Sequence, residues 1–230
     1  LYETSRLTNF VNTLLEWIMN LAVVNLLWVI FNIPIIVFTL YMLLTEVNIT
    51  IILVIAFFLI LLLFPATSAM YASVRDCVVH RDQRASIKKY WAFYKENYVR
   101  SLGIGLLMIP LWAVWSFNMV YFLTEGNLIL FICFLFIGII YFVYNVNIFI
   151  LNVHYHYSYL DLIINAFFIT FGSIKLFLSI IIGFVFVVSV SLLIAKSIFM
   201  LFIIFFTGSL FSLVSFASFY RYYLKYSTEE

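Results

Sequence analysis

The side chains of this chain best suited to chemistry are few and stand apart. His154-Tyr155-His156 offers two imidazoles of the metal-ligand type. Alternate residues on a helix point about 200° apart, however, and the nearest carboxylate is Asp161. Interfacial histidines at the end of an apolar run account for the pair more simply, and no metal site is expected. Asn25 and Asn32 are seven residues apart and share a helix face, and Tyr141, Asn145, Asn152 and His156 fall within a narrow stripe of another helix. Such stripes either line a polar path or bond across helices, at roughly 0.6–2 kcal/mol for each amide.

Other chemistry is missing from the pattern. Phosphate-cradling loops ending in Gly-Lys-Ser or Gly-Lys-Thr, Gly-x-Ser-x-Gly elbows and His-Glu-x-x-His helices do not occur. Cys77 and Cys133 give neither a disulfide framework nor metal spacing and read as packing residues. Without an acid, base or nucleophile constellation, no catalytic residue and no cofactor is expected. Nor is a nucleic-acid partner.

The elements that hold these residues are set by composition. Of 230 residues, 67% are apolar and 10% charged, against roughly 25% charged in a soluble domain. The 27 Phe, 16 Tyr and 5 Trp suit ring faces in lipid and polar tips among headgroups. Charge-free runs at 17–45, 47–74, 101–124, 126–153, 176–195 and 197–220 are each long enough to cross about 30 Å of hydrocarbon as a helix. Helices satisfy their own backbone in lipid, so the reading is one all-α polytopic membrane domain over 1–230. The connections at Thr45-Glu46, Thr124–Asn127 and Ala195-Lys196 are short, which makes three hairpins. No Asp, Glu, Lys, Arg or His lies inside any run, which argues against an ion-coupled transporter or a membrane-embedded hydrolase. Residue 1 is Leu rather than Met, so a short preceding stretch is expected. The run after Glu16 is too long for a signal-peptide core.

Orientation follows from Lys and Arg. Arg6, Arg75, Arg81, Arg84, Lys88, Lys89, Lys95, Arg100, Lys175, Arg221 and Lys225 fall on one side and Lys196 on the other, which places both termini in the cytoplasm. The sequon Asn48-Ile49-Thr50 hugs the outer membrane edge and reads as a chance match. The cytoplasmic stretch 75–100 holds a basic loop and then a helix that Ser86 can cap. Ile87, Tyr90, Trp91, Tyr94, Tyr98 and Ser101 form its aromatic stripe, opposite Lys88, Lys89, Lys95, Glu96 and Arg100. This is the pattern of a helix lying in the inner interface. Trp91, Tyr94 and Tyr98 are then candidate anchors. Lys88, Lys89, Lys95 and Arg100 are either headgroup contacts or a docking face for a cytoplasmic partner.

Pro34, Pro65 and Pro110 lie well inside their runs and are candidate kinks. Ala69 with Ser73, and Gly208 with Ser212, Ser215 and Ser218, are small-residue faces that let helices approach closely. At an offset of 75 residues Ile87, Phe93 and Arg100 align with Leu162, Phe168 and Lys175, and at 76 Pro34 aligns with Pro110. This suggests parallel repeats of a hairpin followed by an interfacial helix.

Asn25-Leu26-Leu27-Trp28, then Phe64-Pro65-Ala66-Thr67-Ser68-Ala69-Met70-Tyr71 leading to Arg75, and Tyr90–Tyr98 through Ser101 resemble the YesL family of bacterial membrane proteins, most strongly over residues 14–103. Family members often carry glycine just before the Phe-Pro step, where this chain has Leu61, Leu62 and Leu63. The family has no settled activity, and its members are usually encoded beside sugar-uptake ATP-binding-cassette transporters and glycan-degrading enzymes. The resemblance therefore implies a bacterial cytoplasmic-membrane protein accessory to carbohydrate uptake, with membrane lipids and permease or ATPase subunits as partners. It implies no catalytic residues. The leading expectation is a non-enzymatic accessory component of an oligosaccharide importer. The alternative is a self-contained facilitator or channel for a neutral solute such as a sugar, and a lipid-modifying enzyme ranks third.

Overall fold

The computed structural model describes residues 2–45, 48–80, 85–194 and 196–227. Arg81 and Arg84 lie outside the described residues, as do the side chains of Arg6, Lys196 and Lys225. The helices are α1 (Tyr2–Phe31), α2 (Ile33–Leu44), α3 (Ile49–Phe58), α4 (Phe64–Val79), α5 (Ile87–Thr124), α6 (Leu128–His154), α7 (Tyr159–Gly172), α8 (Ile174–Leu193), α9 (Lys196–Phe202) and α10 (Gly208–Ser227). Five-residue π-helical turns, Leu59–Leu63 and Ile203–Thr207, join α3 to α4 and α9 to α10. Among the described residues all regular structure is helical. Six stretches are long and apolar enough to cross a membrane: Thr8–Phe31, Ile49–Val79, Ile87–Thr124, Leu128–His154, Ile174–Leu193 and Phe199–Leu224.

Short polar side chains start several helices. Ser86 accepts from the Lys89 N–H, Asn127 from Leu130, Ser158 from Asp161 and Ser173 from Leu176, satisfying amides that a first helical turn leaves open. Gly126, at φ 70°, turns the chain between α5 and α6 in a conformation that side chains with a Cβ disfavour. α5 and α6 then pair antiparallel: the Trp115 indole donates to Phe134 O, the Tyr141 hydroxyl to Met108 O, and Arg100 to Tyr155 O.

Two expectations about the spans need correction. The run 17–45 is not one helix. α1 ends at Phe31, Asn32 takes a turn conformation, and α2 begins at Ile33 with Pro34 in its first turn. Proline has no N–H to give and clashes with the carbonyl one turn back, so the helix restarts there. The Asn32 side chain fills in, donating to Trp28 O at 2.7 Å. Nor is 87–100 a separate helix lying in an interface. It is the first part of α5, which runs unbroken for 38 residues, about 57 Å at 1.5 Å per residue and well beyond the ~30 Å hydrocarbon thickness. No glycine or proline interrupts 87–102, so nothing in the sequence breaks it there.

The prolines act differently. Pro65 is the second residue after the Leu59–Leu63 π turn, whose widened ring of backbone bonds relieves the clash its own ring would otherwise make one turn back. Pro110 sits within α5 without ending it. At the 75-residue offset the two proposed repeat units also differ. Residues 87–100 continue into their span, while 159–172 form a helix of their own that ends at Ser173, which caps the next.

Candidate functional site

Burial concentrates where α4, α5, α6 and α10 meet toward the end rich in Lys and Arg, called here the basic end. The sequence Phe64–Val74 supplies the centre. The Tyr90 hydroxyl donates to Ala66 O at 2.9 Å, the Trp28 indole to Thr67 Oγ1 at 3.1 Å, and the Ser101 hydroxyl to Ser68 Oγ at 2.7 Å. Ser68 Oγ also receives the Asn152 amide at 3.3 Å, and Tyr71 and Ser215 share a hydroxyl bond at 3.1 Å. Small side chains at Ala66, Ser68, Ala69 and Ala72 leave room for these reaches.

Asn25, fully buried, closes the second π turn. Its amide donates to Ile203 O at 2.9 Å and Ile204 O at 2.7 Å, and its Oδ1 accepts from the Ser209 N–H at 2.8 Å. One side chain thus takes up backbone groups where the regular ladder is interrupted. Gly208 permits the approach, since a Cβ there would stand 2.9 Å from Asn25 Oδ1.

The asparagine and tyrosine stripe is divided among these contacts. Asn25 faces the second π turn and α10, Asn32 its own helix, Tyr141 α5 and Asn152 α4. Among the described residues, the Oδ1 of Asn145, also buried, meets no partner, as is true of Asn32, Asn147 and Asn152.

In the first turns of α5, Tyr90 and Tyr94 face the bundle. Tyr94 is 7% exposed, its ring stacked on Phe31 at 4.5 Å, with Tyr98 beside it at 5.5 Å. Trp91, 43% exposed, stacks on Tyr94 at 5.5 Å and carries the Lys95 ammonium 5.0 Å above its ring. The four basic residues read as one docking face also separate. Lys88 and Lys95 are exposed. Lys89 pairs with Asp76 at 3.1 Å. Arg100 does not join them: its guanidinium turns inward and donates to Tyr155 O at 3.3 Å and Tyr157 O at 2.6 Å, because the carbonyls following α6 have no helical donors of their own.

Arg100 borders a polar cavity of about 270 Å³ between α4, α5 and the end of α6. Ala72 and Arg75 come from α4, Phe93, Glu96, Asn97 and Arg100 from α5, and Asn152, Val153 and His156 from α6 and the residues after it. Arg75 donates to Val153 O and lies 6.0 Å over the Phe93 ring, so both arginines are held by the backbone at the α6 terminus. Next to the cavity, burial and the neighbouring Tyr223 and Tyr157 push the Tyr155 phenol up to about 12, leaving it neutral at physiological pH.

A family described as "Protein of unknown function, DUF624" matches residues 21–119. Neither the search of curated proteins nor that of solved structures found a match to the chain. The matched stretch contains Asn25, the Phe64–Tyr71 segment, Arg75 and Arg100, but not Asn152, His156 or the second π turn. The α4 and α5 walls of the cavity thus lie inside the matched region, and the α6 wall lies outside it.

The pattern of charges grouped Arg100 with Lys88, Lys89 and Lys95 as one face, whereas Arg100 lines the cavity, and it gave no sign of the roles of Asn97 and Ser68 or of the pairing of Arg75 with Val153. The spacing of Asn97 and Arg100, one helical turn apart, was the available signal. The two histidines part because α6 ends at His154 and the backbone is extended at Tyr155. The His154 ring meets Phe216, Phe219 and Tyr223, while His156 lines the cavity. Among the described residues no three His, Cys, Asp or Glu gather as a metal-holding group.

Proposed function

We propose that this chain is a non-enzymatic, multi-pass accessory component of carbohydrate uptake in a bacterial cytoplasmic membrane. It docks through Lys88 and Lys95 to the permease or ATPase of an ATP-binding-cassette sugar importer. The observation that carries the docking surface is a division within α5. Tyr90 and Tyr94 are buried against the bundle while Lys88 and Lys95 stand exposed on the same two turns. A cationic face on a seated helix needs little further ordering to meet acidic groups on a partner. The YesL resemblance over 14–103, overlapping the matched 21–119, supports the sugar-uptake setting. The Lys and Arg distribution supports six spans in three hairpins with both termini inside.

Two experiments test this reading. Native-membrane purification of the Lys88→Ala/Lys95→Ala variant should give wild-type membrane levels and lose transporter subunits that accompany the wild type. Equal recovery of those subunits at matched expression rejects the docking face, and the absence of any transporter subunit beside the wild-type chain rejects the accessory role. For orientation, Lys88→Cys in a Cys77→Ser/Cys133→Ser background should resist an impermeant thiol reagent in intact cells, and Glu125→Cys should react. The reverse labelling overturns the topology.

A further inference from the structure

The polar cavity at the basic end has the features of a binding site that its structural role leaves unused. Each guanidinium carries five N–H donors. Arg75 gives one to Val153 O, and Arg100 gives two, to Tyr155 O and Tyr157 O. Both forks keep donors and are already oriented, which lowers the ordering cost of taking up an anion. Two arginines face one carboxylate, Glu96, across the walls, so the charge favours a negative ligand. Asn97 and Asn152 supply amides. Asn152 is 3% exposed and its Oδ1 has no partner among the described residues, although its Nδ2 donates to Ser68 Oγ. A buried amide oxygen left open is costly and rare, and Asn152 is one of the residues that line the cavity.

We propose that this cavity binds the phosphate ester of a small polyol. Arg75 and Arg100 hold the phosphate, whose oxygens fit the guanidinium fork better than they fit an ammonium. Asn97, Asn152 and Glu96 take the polyol hydroxyls, which can donate to the amide and carboxylate oxygens. The volume of about 270 Å³, equal to about nine water molecules at roughly 30 Å³ each, admits a glycerol or hexose phosphate. The cavity lies at the end of three helices that include membrane-spanning stretches, so the same chemistry is available from a soluble sugar phosphate or from a glycerophospholipid headgroup. The inference is independent of the Lys88 and Lys95 docking face.

The test uses the full chain, purified in a neutral detergent. Calorimetric titration with glucose 6-phosphate should give saturable binding roughly tenfold or more tighter than with glucose, which assigns a soluble ligand. Enrichment of phosphatidylglycerol over the bulk membrane composition in lipid extracted from the protein assigns the headgroup. Whichever source is found, Arg100→Gln should weaken it about tenfold or more. Because Arg100 also ties the segment after α6, Asn97→Asp is the second variant. It is close in shape, its native amide donates to Phe93 O one turn back in the same helix, and its added carboxylate should repel the phosphate and give a loss of similar size. The proposal is overturned if neither source binds saturably. It is equally overturned if glucose binds as well as its phosphate with no lipid enriched, or if Asn97→Asp, eluting as a folded species, binds as the wild type does.

Discussion

Eleven residues of α4 are buried, from Phe64 to Cys77, whereas α2 and α3 bury none. The same division runs along α5, whose buried residues end at Met108, and along α6, where all but Gly138 lie from Val143 onward. The basic half and the opposite, turn half of the bundle are both strongly apolar, so hydrophobicity is not what separates them. In lipid an exposed Leu costs nothing, and helices associate through close packing and polar bonds. The basic half has both: Ala66, Ser68, Ala69 and Ala72 opposite Tyr90, Ser101 and Asn152. The turn half shows Leu43, Leu44, Leu53, Phe117 and Leu123 on its surface, each more than half exposed, and relies on a few contacts such as Phe38 against Phe58 and the Trp115 indole on Phe134 O. The polar cavity belongs to the half whose backbone is held in place.

That contrast can be broken by removing single side chains and reading unfolding in detergent by denaturant titration. Asn25→Ala should have the largest effect. It leaves Ile203 O, Ile204 O and the Ser209 N–H without their side-chain partner, and should destabilise by about 3 kcal/mol. A loss below about 0.5 kcal/mol would mean that the second π turn closes on itself. Ser68→Ala removes the meeting point of Ser101 and Asn152 and should lose about 1–2 kcal/mol. Tyr90→Phe keeps the buried ring and removes only the bond to Ala66 O, with an expected loss of about 1 kcal/mol. At the other half, Leu43→Ala and Phe117→Ala should stay within about 0.5 kcal/mol of the wild type. A loss of more than about 2 kcal/mol from either would show that the turn half is packed as tightly as the basic half.

Much of the framework was legible in the residues. Long apolar runs without charge mark the helices because a buried charge in hydrocarbon is expensive. The short turns are written in Gly126 and Asn127, and the start of α5 in Ser86, because a cap needs only a local side-chain oxygen. Pro34 and Pro65 carried their interruptions in their own chemistry, since a missing N–H is a property of one residue. The harder questions concerned which face of a helix meets which neighbour. On a soluble helix the apolar side answers this, but here most faces are apolar and the periodic signal is nearly flat.

So Asn25 named a polar residue in a span, and only the fold showed it reaching across to Ile203 and Ser209, about 180 residues away. The aromatic stripe of α5 predicted an amphipathic helix, and the fold decided that Tyr94 stacks on Phe31. Arg100 belongs to the same basic stretch as Lys88 and Lys95 but stands about 120–140° around the helix from them, and it turns inward onto the open carbonyls of Tyr155 and Tyr157. Residue type and spacing determined the helices, their caps and their breaks, because those depend on neighbours within a turn. Tertiary structure alone decided the buried faces, the clamp at the second π turn and the cavity between Arg75 and Arg100. In a chain this apolar, partners are chosen by a few hydrogen bonds and close approaches between residues far apart in sequence.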